Sequence, residues 1–319
     1  MKPYPLKFAP VFKSTLWGGV RIARFKGIEM SRADIGESWE ISAVEGSESV
    51  LDNGCYAGST LPELVERFGE SLLGSKVSAR FGNRFPLLIK FLDANQDLSL
   101  QVHPNEQLAR RRHNASGKSE MWYVVDRRPG TRIYAGFSRL LTPARFRALV
   151  DANNLLPSLG CYESCPGDVY YLAAGTIHGI GAGNFLVEIQ ESSDITYRVN
   201  DYGRKGPDGK PRELHIDQAV EALDFWPNPG IRHTPAPDSD AELVCCPYFN
   251  VCRMVVDGCR DIDMNGESFM ALVCIAGSGC IEADGCDITS LSQGQTVLIP
   301  ASLSRFSLRG KFTLLAATL

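Results

Sequence analysis

Three side chains suited to holding a divalent metal stand out. They are His103 in Leu98-Ser99-Leu100-Gln101-Val102-His103-Pro104, Glu120 in Gly117-Lys118-Ser119-Glu120-Met121, and His178 in Gly175-Thr176-Ile177-His178. Two imidazoles and a carboxylate, with Gln101 as a fourth donor, form a nitrogen and oxygen set that fits a catalytic zinc with an open position. The same two histidines and one carboxylate would also hold ferrous iron, as in an oxygen-dependent dioxygenase. Period-two alternation places Ser99, Gln101 and His103 on one strand face, and Lys118 and Glu120 on one face of a second strand. Pairing of those two strands would set Glu120 opposite His103. The remaining histidines, His113, His215 and His233, are read as ordinary surface or core residues.

Positioning these groups calls for a mainly β architecture. The segments PLLIKFLDA, MWYVVD, TRIYAGF, DVYYLAA, FLVEIQES and DITYRV are short apolar or alternating runs between turn residues, as in a sandwich or barrel. Helical spacing of apolar residues predicts helices over 61–73, 143–155 behind Thr142, and 216–225. A weak internal repeat relates Gly167-Asp-Val-Tyr-Tyr-Leu-Ala173-Ala-Gly175-Thr-Ile-His178 to Gly294-Gln-Thr-Val-Leu-Ile-Pro300-Ala-Ser302-Leu-Ser-Arg305. Both copies resemble the second cupin motif, a strand entering a tight turn that presents the next side chain to the barrel interior. That side chain is His178 in the first copy and Arg305 in the second, which is read as a surface ion pair. The expected fold is therefore two cupin-like jelly-roll lobes with inserted helices. A catalytic lobe would span 1–226, a Pro- and Asp-rich linker 227–240, and a lobe without metal ligands 241–319.

Composition bounds the partners. The 319 residues are 44% hydrophobic and 22% charged, enough for a sizeable core. A net charge of −4 argues against nucleic acid as a partner, because phosphate-backbone binding needs a basic surplus. Lys2, Lys7 and Lys13 interrupt the N-terminal apolar residues and no other run could span a bilayer, so a cytoplasmic location is expected. Ten irregularly spaced cysteines, with no C-x-x-C pair, read as small buried hydrophobes rather than ligands.

Taken together, LSLQVHPN, GKSEMWYV and TIHGIGAGNFLVEIQESSDITYRVNDYGR resemble class I mannose-6-phosphate isomerases in their short bacterial form, as do LWGG at 16–19 and IGESWEIS at 35–42. The resemblance is strong over residues 5 to about 205 and continues through the second lobe. It implies one zinc per chain on Gln101, His103, Glu120 and His178, an active-site arginine at Arg198, and Ser99 and Lys118 near the substrate phosphate or hydroxyls. One departure is Ala173, where the cupin template prefers proline. The implied reaction moves a proton between C2 and C1 of a sugar phosphate through an enediol or enediolate, whose oxygen charge a Lewis acid stabilises. Lys118 and Arg198 would supply positive charge for the phosphate. Asp194, Thr196 and Arg198 share a strand face. Glu188, acidic within an apolar strand, is a candidate general base in competition with Lys118, a histidine or metal-bound water. The rival readings are the dioxygenase and a non-catalytic sugar-phosphate-binding cupin. A homo-oligomer is left open.

Overall fold

The computed structural model describes residues 3–206, 208–228 and 231–319. Pro229 and Gly230, within the expected linker, lie outside the described residues. Three antiparallel sheets dominate. A seven-stranded sheet runs in the order β14 (Arg232–His233), β10 (Val169–Leu172), β7 (Glu120–Arg127), β12 (Asn184–Glu191), β5 (Leu87–Asp93), β3 (Ile35–Ile41), β2 (Val11–Gly19). A five-stranded sheet runs β13 (Tyr197–Asn200), β6 (Leu100–Val102), β11 (His178–Ile180), β8 (Arg132–Phe137), β9 (Leu159–Glu163).

These two sheets enclose the N-terminal barrel. Alternation along the strands of the larger sheet sends Leu92, Leu186, Val124 and Leu172 into a core shared with Ile133, Ala135 and Ile180 of the smaller one. Phe91, Val187, Ile189 and Met121 point the other way, into a second core with the helices and the C-terminal lobe. The smaller sheet buries Leu100, Val102 and Tyr197 on its outer face against α6 (Pro143–Asp151) and α7 (Ile216–Ala222).

The third, eight-stranded sheet holds β15 (Ala241–Cys245), β16 (Asn250–Asp263), β17 (Met270–Glu282), β18 (Thr289–Ser292), β19 (Thr296–Ile299) and β20 (Arg305–Thr318). It also takes in β1 (Leu6–Ala9) and β4 (Val50–Leu51) from the start of the chain: Leu6 pairs with Leu298, and Phe8 with Leu51. The expected linker contributes β14, which pairs with β10 at the edge of the N-terminal barrel. The repeat seen in the sequence has a physical basis. Gly167 and Gly294 both have positive φ, 89° and 80°, at the turns that lead into β10 and β19. Arg305 ends its copy as an exposed residue 2.9 Å from Asp261.

The helices correct the sequence reading in detail. The segment 61–73 is not one helix. It is α2 (Leu61–Phe68) and α3 (Glu70–Leu73), broken at Gly69, whose φ of 46° no helix accommodates. The second helix stops at Asp151, ahead of a left-handed Asn153, and the third at Ala222, where Leu223 turns extended. Three further helices lie outside the expected set: α1 (Arg21–Lys26), which buries Ile22, α4 (Ser75–Phe81), which buries Val77, and α5 (Glu106–His113), whose last turn is Arg110, Arg111, Arg112 and His113. Among the described residues, no helix is long and apolar enough to cross a membrane.

Candidate metal centre and substrate cavity

The metal-ligating candidates meet where the two barrel sheets face each other. Glu120 opens β7 in the seven-stranded sheet, whereas His178 opens β11 and His103 follows β6 in the five-stranded one. This corrects the expected pairing of the strands bearing His103 and Glu120: the carboxylate reaches the imidazoles across the barrel interior, not across a strand ladder. His103 Nε2 lies 3.4 Å from Glu120 Oε2, and His178 Nε2 lies 3.4 Å from Glu120 Oε1. One ligand atom from each residue falls within 4.8 Å of the others, and no other such group of His, Cys, Asp or Glu occurs among the described residues.

Backbone contacts fix both imidazoles in one tautomer. His103 Nδ1 is 2.7 Å from the Ile195 carbonyl and His178 Nδ1 is 2.8 Å from the Thr176 carbonyl. A carbonyl only accepts, so each Nδ1 carries the proton and each Nε2 turns a lone pair towards Glu120. The turn before His178 is itself tied to the other histidine, because Gly175 N donates to the His103 carbonyl at 2.9 Å. Gly175 has φ 91°, and a Cβ there would stand 3.0 Å from the Ala222 carbonyl, so the turn needs glycine. At Ala173 the turn closes through a Thr176 N to Ala173 O bond of 3.0 Å.

Burial makes this cluster costly without a cation. Glu120 is fully buried, and neither of its oxygens nor His103 Nε2 has a well-formed hydrogen bond. Lys118 Nζ stands 3.0 Å from Glu120 Oε2 as an ion pair. Burial, and then the positive Lys118, push His103 down to about 4, and burial also lowers His178. Burial works to raise Glu120, but Lys118 and the two imidazoles outweigh it and hold the carboxyl well below its usual range. The result at neutral pH is two neutral imidazoles and a carboxylate with unspent lone pairs, the protonation state a divalent metal requires.

Beside the triad lies a cavity of about 790 Å³ whose wall includes Ser99, Gln101, Lys118, Glu188 and Arg198; Lys118, 3.0 Å from Glu120, and Gln101, 3.3 Å from His178, link the two. Strand register sets their order: Gln101 pairs with His178 on one side and with Arg198 on the other. Gln101 reaches within 3.3 Å of His178 Nε2, and its Oε1 accepts from Ser99 Oγ at 3.3 Å. Asp194, Thr196 and Arg198 all line the cavity, in keeping with their shared face. Glu188 points inward and is 96% buried by its neighbours' packing, with Oε1 3.0 Å from Lys90 Nζ and Oε2 accepting from Trp122 Nε1 at 2.9 Å.

Sequence reasoning missed Lys90, Glu37, Trp39 and Arg212 on the same wall. Lys90 pairs with Glu188 in the β5–β12 ladder and lies 3.8 Å from Glu37. Burial alone would lower its pKa, but Glu188 and Glu37 raise it above the ordinary lysine value. The signal was present: a lysine in the apolar run PLLIKFLDA is as anomalous as the glutamate in FLVEIQES. The other histidines behave as ordinary residues: His113 Nε2 is 2.8 Å from Tyr197 Oη, His215 Nδ1 accepts from Arg198 N at 3.0 Å, and His233 is exposed.

Similarity to known proteins bears on the whole assembly. Residues 6–127 match the family model described as phosphomannose isomerase type I, catalytic domain, and residues 239–319 the mannose-6-phosphate isomerase cupin domain. Mannose-6-phosphate isomerase ManA of Bacillus subtilis (strain 168) is 35% identical over 316 residues, covering 97% of each chain. The chain belongs to the type I phosphomannose isomerase family. A Streptococcus mutans mannose-6-phosphate isomerase is 32% identical over 98% of each chain. The crystal structure of the Bacillus subtilis mannose 6-phosphate isomerase superimposes with a TM-score of 0.88 over 99% of each chain, at 31% identity.

Proposed function

We propose that this type I phosphomannose isomerase interconverts mannose 6-phosphate and fructose 6-phosphate with one zinc ion held by His103, Glu120, His178 and Gln101. The observation that carries the reading is the buried triad joined through Lys118 and Gln101 to a cavity walled also by Lys90, Glu188 and Arg198. The unspent Nε2 and carboxylate lone pairs fit a small divalent cation with nitrogen and oxygen preference. Lewis-acid stabilisation of the oxygen charge that develops as the carbonyl migrates from C1 to C2 is what the ion supplies there.

The chain's own residues do the rest. Lys118 and Ser99 flank the reacting end, where the ammonium offers donors to the sugar oxygens and the hydroxyl orients Gln101. Glu188, ion-paired with Lys90 and holding Trp122, keeps a lone pair on each oxygen and is the candidate to take the C2 proton and return it at C1. Arg198 has no carboxylate in ion-pair contact and a buried, unpartnered Nε, so its charge is available to the substrate. Binding energy from the phosphate end then positions C1 and C2. The division at 226 and 240 is part of this reading, with the C-terminal lobe supplying no ligand and β1 tying it to the start of the chain. A cytoplasmic location follows from a phosphorylated intracellular substrate.

The test is a coupled assay of fructose 6-phosphate formation from mannose 6-phosphate, before and after chelation and with zinc restored. Turnover lost on chelation and recovered with zinc is expected. An inactive zinc-loaded protein that still exchanges no C2 proton with solvent deuterium would point to a binding module. Oxygen uptake after ferrous loading would point to a dioxygenase.

A further inference from the structure

Lys118 holds its ammonium 3.0 Å from Glu120 Oε2, yet the backbone that carries it belongs to no helix or strand. Residues 116–119 run irregularly between α5 and the start of β7, and Lys118 is 4% exposed. A lysine stem is flexible, so a fixed ammonium needs a fixed backbone beneath it. Two carboxylates fix that backbone, one on each side of Lys118. Gly117 N donates to Glu106 Oε2 at 2.8 Å, and Ser119 N donates to Glu191 Oε2 at 2.7 Å. Between them, Lys118 N donates to the Pro104 carbonyl at 3.0 Å.

Each carboxylate is itself anchored. Glu106 lies in the first turn of α5, where its Oε1 accepts from Arg110 Nε, one helical turn on, at 2.6 Å. Glu191 follows Gln190, the last residue of β12 to pair with Glu120 of β7. Past that rung Glu191 N still donates to the Ser119 carbonyl at 3.1 Å, but the return bond from Ser119 N goes to the side chain. The Glu191 carbonyl accepts instead from Gln190 Nε2 at 2.9 Å.

The held segment touches the surroundings of all three triad members. Pro104 follows His103 and Ser119 precedes Glu120, while Ser119 Oγ accepts from Ala174 N, in the turn before His178, at 3.2 Å. At Gly117 an added Cβ would stand 2.5 Å from Glu106 N, so the approach of the segment to α5 needs glycine. Glu106 and Glu191 line a cavity of about 690 Å³ at the seam with the C-terminal lobe, and neither is on the wall of the cavity beside the triad. Their influence on the reaction must pass through the backbone they hold.

We infer that Glu106 and Glu191 are positioning residues for the isomerisation, holding the backbone of 117–119 so that the Lys118 ammonium stays at the reacting end of the substrate. The inference rests on the sugar-phosphate reading above and adds two residues that it does not use. An N–H satisfied by water is satisfied at many backbone positions, whereas one satisfied by an anchored side chain is satisfied at one.

The measurement is steady-state turnover of mannose 6-phosphate by the zinc-loaded enzyme, with zinc content and urea unfolding checked for each variant. E191A and E106A are each expected to lower kcat by about tenfold while KM stays within about twofold, because a misplaced ammonium is felt mainly as charge develops in the transition state. E191Q and E106Q keep an acceptor oxygen for the backbone N–H and should hold kcat within about twofold of wild type. E106A removes a half-exposed side chain and keeps the test open if E191A does not fold. A double-mutant cycle with Lys118→Met reads whether the effect passes through Lys118: in that background E191A and E106A should each cost less than about twofold. Folded, zinc-loaded alanine variants with the wild-type kcat would overturn the inference, as would a full tenfold loss in the Lys118→Met background. A zinc-loaded wild type that does not isomerise mannose 6-phosphate would overturn the sugar-phosphate reading and this inference together.

Discussion

At the residue scale the determining fact is a carboxylate with no exposed surface whose nearest partners are two Nε2 atoms at 3.4 Å and one ammonium at 3.0 Å. Leaving such a group uncompensated costs several kcal/mol, so its ligand role and its burial explain each other. Glu120→Gln keeps the shape and removes the charge. We expect it to lose metal and activity together, by more than the roughly 10–100-fold typical of partners one step removed from a metal. Metal analysis alongside the coupled assay checks this, and a fully active, metal-loaded variant would remove Glu120 from the centre. Arg198→Lys preserves charge but not the planar fork. Zinc content should hold while kcat/KM drops by about 100-fold, the scale of losing one preorganised donor. Wild-type rates would make Arg198 ordinary surface.

At the scale of elements, the short turn from Ala173 to His178 does more than connect β10 to β11. Its Gly175 N–H holds the carbonyl of His103, so one backbone bond sets the relation between two ligands on different strands. Gly175→Ala meets both an unfavourable φ and a contact of 3.0 Å with Ala222 O. A destabilisation of about 1–2 kcal/mol is expected from the backbone alone, together with weaker zinc binding in a chelator competition. Gly27→Ala is the matched control: φ is 65°, nothing lies within 4 Å of the added Cβ, and the residue caps α1 far from the ligands. It should cost comparable stability and leave zinc affinity untouched. Equal effects of the two substitutions on zinc would show that the turn does not position the site.

At the scale of the molecule, the lobes are joined by more than a linker. Leu6 and Phe8 share one core with Phe85, Ile89, Phe269, Ala271 and Leu315, and the Phe85 and Phe269 rings pack tilted by 30° with 4.7 Å between centroids. Glu191, at the end of β12, lines a groove at this seam with Arg80, Glu106 and Tyr248. Its Oε2 accepts from Ser119 N at 2.7 Å, and burial pushes its pKa up to about 7. A carboxyl with a raised native pKa binds its proton more tightly folded than unfolded. Its favourable contribution is therefore complete below about 4.5 and is lost as pH rises through about 7. Glu191→Gln removes that loss while keeping an acceptor for Ser119. Urea unfolding should then show the variant gaining stability relative to wild type at pH 8 but not at pH 5. An equal difference at both pH values would mean that Glu191 is ionised in the fold at no cost.

Much of the site was legible because chemistry imposes residue type and strands impose period two. Ser99, Gln101, Lys118, Glu188 and Arg198 line one cavity, as the shared faces of Ser99 with Gln101 and of Asp194 with Arg198 suggested, and His103, Glu120 and His178 meet beside it. The mainly β class and the paired cupin lobes followed from short apolar runs and a repeated glycine turn. Tertiary structure alone decided which faces oppose each other. Alternation gives the side on which a residue lies, but not the sheet to which its strand belongs, so the approach of Glu120 to the imidazoles across the barrel could not be read from spacing. The placement of β1 in the C-terminal sheet is likewise a contact between residues almost 300 positions apart. Arg212 reaches the cavity wall because Asp201 folds back on it within a loop, and no periodicity marks such a pairing.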